Sequence, residues 1–411
     1  MLYNTGIRLY WLYILAGSLF SRKARLWIRG RRGLFRHIAH EMPGEGDATW
    51  FHCSSLGEFE QGRPVMEELR RRDPRARIVL TFFSPSGYEV RRNYAGADHV
   101  FYLPLDTPGN AARFIGMVRP RCAYFVKYEY WYHFIDRLSE KRVPVYLISA
   151  VFRESQVFFR KSGGLFREIL RKFDHIFVQD QASYELLRSA GVIGASISGD
   201  TRFDRVSAIS GADDEIIGLR EFCGGLPVLV AGSTWPEDEA ILVRFIRETD
   251  LHMKFIIAPH EISASRIDRI ERSTGKNCRR FSGMDPETIS GADVLLVDVM
   301  GRLASIYRYG TLAYIGGGFG KGIHNILEAA AYGMPVLFGP NYGKFREAVE
   351  LTGLGAAFSV SDYPSFQRTT EKLLSDKISL SQCSLKARKY VEENTGATKK
   401  ILDFEDNNLQ D

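Results

Sequence analysis

The sequence predicts an α/β protein of two domains, each built on a parallel sheet, and three observations carry this. The chain has 411 residues, too many for one comfortable hydrophobic core. Short apolar runs alternate with helix-period segments through most of its length, the pattern of strands joined by right-handed helical crossovers. That alternation is interrupted once, near residues 209–217, by polar text with Gly211 and the acidic cluster Asp213–Glu215, and then restarts. Composition agrees, because 45% hydrophobic and 25% charged residues are those of a folded globular protein.

Taken in order, residues 9–20 (LYWLYILAGSLF) are apolar and aromatic. The run is shorter than the roughly 20 residues of a spanning helix. SRKARLWIRGRR follows, with Trp27 and Ile28 between arginines. Arg8, Arg22, Lys23, Arg25, Arg29, Arg31, Arg32 and Arg36 place much of the basic charge of a +6 chain in this one region. A secretory signal puts its charge first; here the order is reversed. Residues 1–40 therefore suit an anchor lying in or dipping into an anionic membrane surface, the other reading being a helix packed on the protein's own core. No nucleic-acid-binding module is recognisable, so nucleic acid is not an expected partner. Five scattered cysteines without a CxxC pair indicate no disulfide framework and no zinc site, and fit a reducing compartment.

The first α/β domain opens with the strand Trp50–Cys53, a tight loop over Ser54–Gly57, and a helix from Gln61 to Arg71. Glu58 thus falls just past a strand end, the edge at which open α/β sheets bind ligands. An acid there also complements a helix dipole, and pattern alone leaves both roles open. RIVLTFFS, HVFYLPL, CAYFVKYEYW, VPVYLISAVF and HIFVQD supply further strands, with helical text between them.

The second domain begins with the strand LPVLVAGST, whose Ser233 and Thr234 precede a helix opening at Pro236. Hydroxyls and amides at such a place can hold a phosphate. KFIIAPHE and VLLVDV are later strands. Residues 312–315 are the next strand, followed by a loop of Gly316, Gly317, Gly318, Gly320 and Gly322 and a helix over Asn325–Tyr332. Glycines let backbone approach a ligand closely, and a helix start favours an anion. The loop is neither a Walker A sequence nor a dinucleotide fingerprint. Asn325 and Glu328 share one helical face, where they can meet a ribose diol or serve as an ordinary cap and a solvated acid. Gly339-Pro340-Asn341 turns the chain after the next strand, over the same edge. Residues 380–411 read as a helix passing into a frayed acidic tail.

FHCSSLGEFEQGRP, GDTRFD, AGSTWPEDE, APHE, VDVMGRLASIY and GGGFGKGIHNILEAAAYGMPVLFGP, in that order, resemble the 3-deoxy-D-manno-octulosonic acid (Kdo) transferases of Gram-negative bacteria. The likeness runs along nearly the whole chain. It implies a GT-B glycosyltransferase fold, two Rossmann-like domains facing across a cleft, with an N-terminal membrane-anchor helix. Residues 1–40 would be the anchor, 41–207 the acceptor domain, 208–392 the CMP-Kdo domain and 393–411 a C-terminal helix and tail. The implied reaction is inverting transfer of Kdo from CMP-Kdo to a lipid A precursor, in lipopolysaccharide core biosynthesis, at the cytoplasmic side of the inner membrane. The resemblance makes Glu58, in the SxGE motif, the general base. Ser233, Thr234 and the amides of the Gly316–Gly322 loop, Gly317, Gly318 and Gly322 among them, would hold the CMP phosphate. Asn325 and Glu328 would hold the ribose side, with His260 and Gly301 in the same donor site. No metal and no cofactor beyond the donor is implied, since a single phosphate can be met by basic side chains and helix ends. The chain departs from the commoner pattern in lacking a basic residue before His260, in Gly301-Arg302-Leu303, and in Lys321 and Ile323 of the glycine loop. Arg302 or Lys321 is expected to supply the missing charge. The alternatives are another GT-B nucleotide-sugar transferase or an epimerase, or a non-catalytic membrane-associated binding protein.

Overall fold

The computed structural model describes residues 2–44, 46–161, 163–212 and 215–408. Asp213 and Asp214 of the polar junction and the last three residues of the tail lie outside them. The chain divides into two compact units, Met1–Asp204 with Gly396–Asp411, and Arg205–Thr395.

The first unit is a seven-stranded sheet of β1 (Ala48–Cys53), β2 (Arg77–Phe82), β3 (His99–Tyr102), β4 (Pro120–Val126), β5 (Val145–Ala150), β6 (His175–Val178) and β7 (Ala195–Ile197). Their order across the sheet is β3-β2-β1-β4-β5-β6-β7, and the neighbours pair in parallel. Helical crossovers cover both faces, which is why the strands read as continuous apolar runs. Successive residues point to opposite faces: Trp50 joins the core with Phe114 and Phe134, and Phe51 the core with Phe59 and Tyr124.

The N-terminal segment belongs to this unit. A helix over Leu2–Gly17 is followed by Arg22–Arg31, capped by Ser21, and by Leu34–Glu41. Trp27, Leu34 and Ile38 enter the core, and the first helix is tied down by Tyr3, whose hydroxyl donates to the buried Asp106 at 2.5 Å. Its outer surface stays apolar, Tyr13 being 73% and Phe20, just beyond the helix, 90% exposed. The reading as helices packed on the protein's own core is therefore visible, with an apolar outer surface left exposed. Among the described residues no helix is long and apolar enough to cross a membrane.

The second unit repeats the plan with β8 (Val228–Thr234), β9 (Lys254–Pro259), β10 (Cys278–Arg280), β11 (Val294–Leu296), β12 (Leu312–Ile315), β13 (Val336–Phe338) and β14 (Ala357–Ser359). Their order is β10-β11-β9-β8-β12-β13-β14, again parallel. The C-terminal segment is an ordered helix, Ala397–Asn408, returned to the first unit rather than a frayed tail. Its Ile401 and Leu402 are buried, and its Glu405 accepts from Tyr124 and Cys122.

Candidate active site

The strand order turns between β1 and β4 in the first sheet and between β8 and β12 in the second. The loops leaving the carboxyl ends of such strands open the crevice where α/β sheets bind ligands. The candidate residues other than Gly301 cluster at these two switch points.

At the first, Glu58 follows β1. The helix after β1 starts at Leu56 instead of Gln61, so Glu58 lies in its first turn and not on a loop. The cause is the spacing Ser55-Leu56-Gly57-Glu58, which closes a capping box: the Ser55 amide donates to Glu58 Oε2 at 2.7 Å and the Ser55 hydroxyl at 3.0 Å. A cap explains those two bonds, but a capping carboxylate is ordinarily ionised and solvated. Burial, and after it the nearby Glu129, push Glu58 up to about 7, because a low-dielectric site and a like charge both disfavour the anion.

Glu129 follows β4, the other strand of the same switch point, and is 5% exposed. Its Oε2 accepts from Trp131 Nε1 at 2.5 Å and lies 2.9 Å from His52 Nε2. His52 is fully buried inside β1, and its Nδ1 lies 2.9 Å from the Thr81 hydroxyl on β2. A chain of polar groups thus runs inward from Glu58 through Glu129 to His52 and Thr81. Sequence reading had not singled out Glu129 or His52. The rule that found Glu58, an acid just past a strand end, applies equally to Glu129 in KYEYW.

At the second switch point the structure brings together Ser233, Thr234, Gly317, Gly318 and Gly322, with His260 after β9. Gly316 and Gly318 are required by close approach: a Cβ on Gly316 would stand 2.3 Å from the Ser233 carbonyl oxygen, and one on Gly318 2.6 Å from the Gly339 nitrogen. The loop after β12 is therefore packed backbone to backbone against the turn after β13. Much of its amide set faces inward. Gly317 N–H donates to Asp238 Oδ2 at 2.8 Å, and Gly320 and Gly322 both donate to the Gly317 carbonyl. Asp238, almost fully buried, also accepts from Trp235 N–H at 2.8 Å and from the Tyr314 hydroxyl at 2.7 Å, so one carboxylate joins the loops of β8 and β12.

Of the two hydroxyls expected to meet a phosphate, that of Thr234 is buried and donates to Glu239 at 3.2 Å. Ser233 stands on the partly exposed side, with φ of +53°. A serine held in the left-handed region is strained, and such strain collects at ligand sites. The helix after the glycine loop is only Leu327–Ala331, shorter than the expected Asn325–Tyr332. Asn325 Oδ1 accepts the Leu327 amide at 3.1 Å and thereby ends the loop, while its Nδ2 donates to Glu328 Oε1 at 3.2 Å. Burial pushes Glu328 up, opposed by Arg205. Gly301 takes φ of +79° in the turn after β11, with open space beside it; two strands separate β11 from β12.

Residues 27–205 match the family model described as 3-deoxy-D-manno-octulosonic-acid transferase (kdotransferase). A 3-deoxy-D-manno-octulosonic acid transferase of Aquifex aeolicus is 32% identical over 338 residues, covering 80% of this chain and 87% of that protein. The chain belongs to the Kdo transferase family. A second family relative, from Bordetella pertussis, is 27% identical over 407 residues, 92% of this chain and 94% of that one. The fold is GT-B: a UDP-GlcNAc 2-epimerase of Neisseria meningitidis matches with a TM-score of 0.62 at 14% identity, over 87% of this chain and 99% of that one. The stretch matched by the Kdo transferase model contains Glu58, Glu129 and His52, and the glycine loop lies beyond it.

Proposed function

We propose that this protein is an inverting glycosyltransferase that moves Kdo from CMP-Kdo to a hydroxyl of a lipid A precursor, at the cytoplasmic face of the inner membrane. The observation that carries this reading is Glu58, held near neutrality beside Glu129 at the switch point of the first sheet. A base poised near the working pH is matched to removing the proton of a sugar hydroxyl as that hydroxyl attacks. The hydroxyl oxygen forms its bond to the anomeric carbon of Kdo while the bond from that carbon to the phosphate oxygen breaks. CMP leaves on the opposite face, which inverts the centre, and the proton rests on Glu58.

The second unit would bind the donor. Ser233, His260, His324 and the glycine loop would meet the phosphate and its neighbourhood, and Asn325 and Glu328 the ribose side. One phosphate leaves, so fixed hydrogen-bond donors suffice and no metal is required; transfer is expected to proceed unchanged in excess chelator. The basic, aromatic N-terminal helices would hold the protein on an anionic membrane, where the lipid acceptor resides.

The test is Kdo transfer from CMP-Kdo generated in situ to a lipid A precursor, by wild type and by Glu58→Ala. Transfer by the wild type, with a loss of about 10²- to 10⁴-fold in a folded, CMP-binding variant, is expected. Undiminished transfer by the variant removes Glu58 as the base. A wild type that binds CMP and transfers nothing makes Kdo the wrong sugar.

A further inference from the structure

Three rings meet where the loops after β8, β9 and β12 converge. Trp235 and His324 lie nearly coplanar, 11° apart, with Trp235 Nε1 3.0 Å from His324 Nε2. His260 stacks over both, its ring centre 4.7 Å from Trp235 and 4.3 Å from His324. An indole N–H only donates, so the His324 nitrogen that faces it carries a lone pair. The proton of the neutral imidazole is then on Nδ1, which has no partner among the described residues. Protonating Nε2 would set two donors against each other and place a cation against His260. Burial, followed by His260, accordingly holds His324 down at about 4, and burial lowers His260 as well.

We propose that Trp235 is a positioning residue: it locks His324 in the Nδ1–H tautomer and in a fixed plane, so that Nδ1–H is a ready donor to a phosphate oxygen of the nucleotide bound by this unit. The proposal rests on the donor site described under the function above. The placement favours it, since the rings border Ser233 and the glycine loop at the switch point, where nucleotide phosphates bind. A donor whose direction is set before the ligand arrives needs no reorganisation as charge develops on the departing phosphate. Being neutral, it does so without adding a cation that would retain the product.

The experiment is long-range ¹⁵N–¹H correlation on the full-length protein labelled at histidine, paired with CMP and cytidine binding. The wild type is expected to show His324 as Nδ1–H, without titration down to about pH 5. Trp235→Phe keeps a ring and the backbone but removes the indole donor. It is expected to release a mixture of tautomers and to weaken CMP about tenfold, the size of one hydrogen bond to a charged group. Cytidine, lacking the phosphate, is expected to bind equally to both. His324→Asn, whose amide nitrogen sits near the Nδ1 position, is expected to retain CMP affinity, and His324→Gln to lose it. An Nε2–H tautomer in the wild type overturns the proposal. So does unchanged CMP affinity once the tautomer is free, or an equal loss of CMP and cytidine. A wild type that does not bind CMP overturns the donor function, while the tautomer spectra judge the lock independently of it.

Discussion

Glu58 answers to two opposite demands. As a capping residue it accepts from the amide and hydroxyl of Ser55, which favours its anion; burial and Glu129 favour the acid, and they prevail. A general base works only deprotonated, so kcat/KM is expected to rise with pH through about 7 and to plateau above it. Glu129→Gln removes the like charge that helps raise Glu58, so the same rise should move to lower pH; a profile that stays in place would assign the whole shift to burial. Stability runs the other way. The folded value lies above the ordinary carboxyl value of about 4.3, so the contribution of Glu58 to stability is fully present below that value and is lost as pH climbs through about 7. Conditions of greatest activity and of greatest resistance to unfolding are thus expected to differ. Glu58 was legible in the sequence because strand ends bind ligands. The pairing with Glu129 was not, because 71 residues separate the two and only the adjacency of β1 and β4 brings their loops together.

Among the elements, strands were the most legible, since twofold-buried parallel strands are unbroken apolar runs. β10 and β14 were missed. Each has three residues and no periodicity to detect, and β10 carries Arg279 and Arg280. The glycine loop was recognised, but its construction was not. Its glycines do less to expose amides than to admit the turn after β13, and Asp238, which reads as one acid among three at a helix start, is the buried tie between two loops. Gly318→Ala would force a Cβ against the backbone of Gly339. It is expected to cost about 1–3 kcal/mol of stability in denaturant unfolding and to abolish CMP binding. Retention of CMP affinity would show that the two loops can part without harm to the site.

For the whole molecule, the alternation of strands and helices disclosed two units, but the sequence placed their junction at 207/208 and read the C-terminus as a helix and tail with no assigned partner. The chain in fact passes into the second unit at 204/205 and returns at 395/396. A helix returning from the far end of the sequence leaves no local signal, since its partners Tyr124 and Cys122 lie more than 280 residues away. The N-terminal helices allow a test at this scale. Phe20→Glu alters a side chain that is almost wholly exposed, so folding should be unaffected. Sedimentation with anionic vesicles is expected to fall, and transfer to a lipid acceptor to fall with it, while transfer to a short water-soluble acceptor is unchanged. Equal loss on both acceptors would mean that the helices serve the catalytic unit and not the membrane.

The two crossing points are also held together within the first unit: Asp204 accepts the amide of Gly396, at 2.5 Å, on one carboxylate oxygen and that of Thr398, at 2.7 Å, on the other. The ends of the segment Arg205–Thr395 therefore emerge side by side, as those of an inserted domain do. In evolutionary terms the second unit is a cassette. It is one continuous polypeptide whose host segments meet across a single carboxylate, the joint at which an exchange of one such unit for another would be made.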